Sequence, residues 1–79
     1  MKKYNNKPNA TGSLIEAARI NKGYSKEEVC RKLQLLGINI DRTELYRIEN
    51  SQMIIKDFEL VGFCKVLDID YNELINIVE

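Results

Sequence analysis

Histidine is absent from this chain, and with it the commonest general base and metal ligand. The two cysteines, Cys30 and Cys64, stand far apart with no Cys-x-x-Cys spacing, so no metal site is expected. Each cysteine reads as a small, buried apolar side chain. There is no phosphate-binding glycine loop and no nucleophile with a base beside it, which argues against an enzyme and against a cofactor. Glu27, Glu28, Asp57 and Glu59 are better explained as first-turn helix residues favoured by the helix dipole. No apolar run approaches the roughly 20 residues that span a bilayer, and the polar N-terminus lacks the apolar stretch of a signal peptide. The expected setting is cytoplasmic, with thiols kept reduced, no membrane partner and no small-molecule ligand.

What is present fits one small globular domain. Seventy-nine residues with 44% hydrophobic and 30% charged side chains can bury a modest core but are not disordered. The net charge is zero, yet the charges are segregated. Residues 1–56 hold eleven Lys and Arg against six Asp and Glu, and residues 57–79 hold one against six. A chain with a basic portion and an acidic portion can offer the basic one to a polyanion.

No strand alternation, repeat or low-complexity segment interrupts a helical pattern, which predicts an all-α fold of five helices. Residues 1–10 carry Lys2, Lys3, Lys7 and the only proline, show no apolar periodicity, and read as a flexible basic arm preceding a domain over 11–79. A first helix is predicted over about 13–22, with Leu14, Ile15 and Ala18 inward and Gly23 as its left-handed cap. Ser25 and Glu28 form a capping box for the second, whose inner stripe is Val29, Cys30 and Leu33. Residues 35–40 contain Gly37 and form an apolar turn expected to plug an edge of the core. A fourth helix starts from a cap at Asp57, with Leu60, Phe63, Cys64 and Leu67 on its core face. Gly62 lies inside it at a cost of about 1 kcal/mol relative to alanine. Asp70 and Glu73 form a second box ahead of a last helix containing Leu74, Ile75, Ile77 and Val78.

The most informative segment is residues 41–50. Asp41 can cap a helix N-terminus. Leu45 and Ile48, three apart, enter the core, which leaves Arg42, Thr43, Glu44, Tyr46 and Arg47 on the outer face. Two helices joined by a turn, the second bearing long cationic arms outward, make a helix-turn-helix arrangement. An α-helix fits the major groove of DNA, where Arg42 and Arg47 can each pair with guanine O6 and N7. Thr43 can meet a thymine methyl or a phosphate, and Tyr46 a base methyl or a phosphate. Glu44 would be repelled by phosphate unless it accepts a bond from cytosine N4.

The blocks Arg19 to Val29, Arg42 to Asn50, Asp57 to Val61 with Lys65 to Leu67, and Asp68 to Leu74 resemble the lambdoid-phage repressor and Cro type of regulator, the XRE family, over about residues 12–75. The resemblance implies a compact five-helix bundle and a bacterial or phage repressor-like regulator that reads DNA with its third helix. It implies base contacts from Arg42, Thr43 and Arg47, and sets Lys26 beside the DNA backbone, where it can contact a phosphate. Asn50, Gln52 and Lys56, just after the reading helix, are similarly placed to touch phosphates, and the arm lysines can add sequence-blind affinity. It also implies a buried ion pair between Arg19 and Glu49. Three departures stand out: Glu44 sits on the reading face, Ser51 replaces a glycine of the family, and the link from Leu33 to Arg42 is longer than in short-turn members. Ile75, Ile77 and Val78 could pack on the first helix, form a homodimer seam or meet another protein. A protein-interaction module on the same fold, antitoxin-like or regulator-binding, is the alternative to a DNA reader.

Overall fold

The computed structural model describes residues 6–77; Lys2, Lys3 and Val78 lie outside the described residues. It contains five helices: α1 (Gly12–Lys22), α2 (Lys26–Leu35), α3 (Arg42–Glu49), α4 (Asp57–Leu67) and α5 (Tyr71–Ile75). No β-strand occurs among the described residues, and the all-α fold is as expected. Helices α3 and α4 each pack against both α1 and α2. Ile15, Val29, Leu33, Leu45, Ile48 and Phe63 are fully buried where these four helices meet. Every one of them lies on a stripe that the helical periodicity marks as apolar.

Local chemistry explains where the helices begin and end. Gly23 closes α1 in the left-handed conformation, at φ 75°. The Ser25 hydroxyl accepts the Glu28 N–H at 3.1 Å while the Glu28 carboxylate accepts the Ser25 N–H at 2.9 Å. The Ser25 backbone N–H, followed by the Ser25 side chain, holds the Glu28 carboxyl below its ordinary range. At α4 the expectation fails by one residue. The cap is Lys56, whose N–H donates to Glu59 Oε1 at 2.9 Å, and Asp57 is the first helical residue. The acceptor three residues on decides the boundary, because Glu59 can reach back and is itself buried. For α5, the Asp70 side chain accepts the Glu73 N–H at 2.9 Å, and the helix is only five residues long.

The apolar turn divides differently from expectation. Helix α2 runs on through Leu35, so the link to α3 is residues 36–41. Ile38 and Ile40 plug the core as anticipated, but Leu35 is 84% exposed and Leu36 48%. The helical repeat rotates Leu35 about 200° from Leu33 and so off the buried face. Gly62 in α4 receives Ile38: a Cβ there would collide with the Ile38 side chain and press on Leu33. The helix-weakening glycine is therefore the seat for the turn's plug.

The N-terminal segment is not free along its whole length. Asn9 is buried; its Nδ2 donates to the Ile48 carbonyl at 3.2 Å and the Met53 carbonyl at 2.7 Å. Its Oδ1 accepts the N–H groups of Gly12 at 2.8 Å and Thr11 at 3.2 Å. Asn9 thus caps α1 and clamps the end of α3 with one amide, so it belongs to the packed domain. Gly12 lets this happen, since a Cβ there would run into the Ile48 carbonyl oxygen. Ser51 follows α3 at φ 58°, so the serine keeps the left-handed backbone that a glycine would adopt more cheaply.

The Arg19–Glu49 pair forms as the resemblance implied. Arg19 Nε lies 2.7 Å from Glu49 Oε2 and Nη2 lies 3.1 Å from Oε1, with Nη1 donating to the Tyr24 carbonyl at 3.0 Å. The side chains are 11% and 1% exposed, and the bond to Glu49 raises the Arg19 pKa further. Replacing Arg19 by Met strands a buried carboxylate and should cost about 3–5 kcal/mol in chemical denaturation. The double change Arg19→Met/Glu49→Leu should recover much of that loss. Gly12→Ala should lower stability by about 2 kcal/mol or more in the same assay, because backbone, not a side-chain tip, blocks the methyl.

Candidate nucleic-acid interface

Helix α3 begins with a full capping box. Asp41 Oδ1 accepts the Glu44 N–H at 2.8 Å, and Glu44 Oε1 accepts the Asp41 N–H at 3.0 Å. Glu44, weighed above as a base or phosphate contact, is thereby engaged in starting the helix. Leu45 and Ile48 are fully buried beneath. With the inner face fixed, Arg42, Thr43, Tyr46 and Arg47 are exposed on the outer one. An α-helix with its side chains is about 10–12 Å across, which fits a major groove about 12 Å wide.

Lys26, Arg42, Thr43 and Tyr46 line one shallow groove, so the first residue of α2 meets the outer face of α3. Lys26 is the half-buried member of the set. A second groove lies on the other side of Arg42, lined among others by Glu27, Cys30, Arg31, Asp41 and Glu44. Arg42 forms the ridge between them. Its Nε lies 3.2 Å from Glu27 Oε2, in a pair whose side chains are 70% and 55% exposed. Sequence reasoning gave Glu27 only a role at its helix terminus. No local spacing links it to Arg42, because the pair crosses between two helices.

The remaining candidates lie toward the other end of α3. Arg47, Asn50, Gln52 and Lys56 are all exposed. Asn50 turns its amide onto its own helix, Nδ2 donating to the Tyr46 carbonyl at 2.8 Å. Lys56 Nζ sits 6.0 Å from the Phe58 ring. Lys7, the arm lysine among the described residues, is exposed as well. The cysteines take no part: burial pushes the Cys30 and Cys64 thiols up, away from a reactive thiolate. Among the described residues no group of three His, Cys, Asp or Glu side chains is placed to hold a metal ion.

The outer face of α3 therefore offers two guanidinium groups, a hydroxyl-methyl pair and a phenol, with a lysine beside it. These are donors and apolar contacts suited to base edges and phosphates. No helix among the described residues is long and apolar enough to cross a membrane. A family model described as Helix-turn-helix matches residues 15–74. No curated protein and no solved structure matches the chain. Because Glu44 caps α3, Glu44→Ala should lower stability by about 0.5–1 kcal/mol while leaving base preference in DNA-binding assays unchanged. A changed preference would return Glu44 to the reading surface.

Proposed function

Since the chain belongs to the XRE-type helix-turn-helix family, we propose that it is a sequence-specific regulator of transcription that reads duplex DNA with α3 in the major groove. The family is one of DNA-binding regulators in general; the finer reading is a repressor-like protein of bacterial or phage type, acting in the cytoplasm without enzymatic activity. The observation that supports it is the division of α3 into a buried apolar face and an outer face bearing Arg42, Thr43, Tyr46 and Arg47. Arg42, Thr43 and Arg47 contact base edges in this reading. Tyr46 contacts a base methyl or a phosphate, and Lys26, Asn50, Gln52 and Lys56 hold the backbone. The surplus of basic residues before residue 57 favours approach to a polyanion.

The reading includes a homodimer that places two copies of α3 on successive major-groove turns, about 34 Å apart. Support for a seam at the C-terminal helix comes from Tyr71 and Ile75, 73% and 46% exposed; Ile77 is half-buried. A protein-interaction module is the second reading. It is favoured by a groove lined in part by Leu36, Phe58, Val61 and Lys65, where three large apolar side chains are about half exposed. Patches of this kind mark contact sites on small proteins.

Selection from random duplex DNA, followed by titrations at two salt concentrations, tests the proposal. The wild type should enrich a palindromic site, bind less tightly as salt rises, and lose its preference in Arg42→Ala/Arg47→Ala. Weak binding with no enrichment and no dependence on those arginines would overturn it and favour the protein-interaction reading.

A further inference from the structure

Arg42 is the first residue of α3, 70% exposed in its side chain, and free to sample many rotamers unless something holds it. Holding a long side chain in one geometry at the moment of binding costs part of the discrimination it could supply. The Glu27 carboxylate, on the neighbouring helix, meets Arg42 at Nε, 3.2 Å away. The guanidinium is a planar fork whose two edges present different donors. A carboxylate whose nearest guanidinium atom is Nε leaves the two Nη groups for an acceptor pair such as guanine O6 and N7. The other carboxylates around Arg42 form no ion pair with it. Asp41 and Glu44 accept each other's backbone N–H in the capping box, and the nearby side chains of Lys26 and Arg31 are cations that repel it.

From this arrangement we infer that Glu27 is a positioning residue for base recognition: it holds the Arg42 guanidinium edge-on to the groove and so sets preference for guanine at the position Arg42 reads. The inference rests on the reading of α3 as a DNA-recognition helix. Glu27 itself touches no base and, as a carboxylate beside the phosphates, weakens sequence-blind binding. Its removal therefore has two effects of opposite sign. A surface charge with no positioning role would show only one, an equal rise in affinity for every sequence.

The experiment measures binding of a selected duplex and of its variants at each position, for wild type, Glu27→Ala, Glu27→Gln, Arg42→Ala and the double Glu27→Ala/Arg42→Ala. Glu27→Ala should bind random duplex more tightly yet lose about fivefold in preference for guanine at one position, as expected for an exposed pair. Glu27→Gln, which keeps the side chain's shape but loses the charge of the ion pair, should lose preference as Glu27→Ala does. In the Arg42→Ala background Glu27→Ala should leave base preference unaltered. The idea is overturned if Glu27→Ala shifts all sequences alike, or if its effect on preference persists without Arg42. Absence of any sequence preference in the wild type would overturn the DNA-recognition reading and this inference together, whereas a site read identically by wild type and Glu27→Ala removes only the inference. Glu27 is exposed on the first turn of α2, so circular dichroism should show every Glu27 variant folded.

Discussion

Arg19 and Glu49 set the position of everything that faces outward. One guanidinium binds both oxygens of the Glu49 carboxylate and the Tyr24 carbonyl, and so joins α1, the α1–α2 turn and the end of α3. The pair is nearly closed to water, where an ion pair is strongly directional and a lone charge costly. Its free-energy gain over an apolar pair of the same volume is small or negative, so its contribution lies in geometry: α3 can end in one place only. A recognition helix needs such a constraint, because a small change in its tilt moves every base contact at once.

Around that pair the backbone is gripped from a second side. Asn9 binds the Ile48 and Met53 carbonyls, and Gly12 allows α1 to begin almost on the α3 backbone. Ser51 adopts the left-handed turn that releases the chain from α3. The N-terminal end of the same helix is fixed by the Asp41–Glu44 box and by Ile40 and Leu45 in the core. Both ends of α3 are thus fixed by capping bonds and buried groups, and its exposed side chains stand on that base. The Lys22–Asp68 ion pair links α1 to the cap of α4 at the surface, where screening leaves it a minor contribution.

Much of this was legible in the sequence because it is local. Capping boxes are contacts over three residues, and buried stripes repeat every three or four, so Ser25, Glu28, Leu45, Ile48 and Phe63 could be placed from spacing alone. The failures are contacts over long separations or a competition at a boundary. Asn9 looked like part of a polar arm because its partners lie 39 and 44 residues away. Leu35 and Leu36 belong to the same apolar run as Ile38 and Ile40, and such a run does not reveal where a helix stops. Asp57 lost the cap position to Lys56 because Glu59 could serve as the acceptor. For the interface, spacing separated the outer face of α3 from the inner one, but it could not show that Lys26 shares a groove with Arg42 or that Glu27 pairs with it.

The central claim is that this rigidly held outer face is where duplex DNA binds. The most direct measurement is an amide-shift titration of the 15N-labelled protein with a duplex carrying its selected site. The account predicts shifts concentrated in α3, the first turn of α2 and residues 50–56, with α5 and the outer face of α4 little changed. Shifts centred on Leu36, Phe58 and Val61, or spread evenly over the molecule with α3 unaffected, would contradict it.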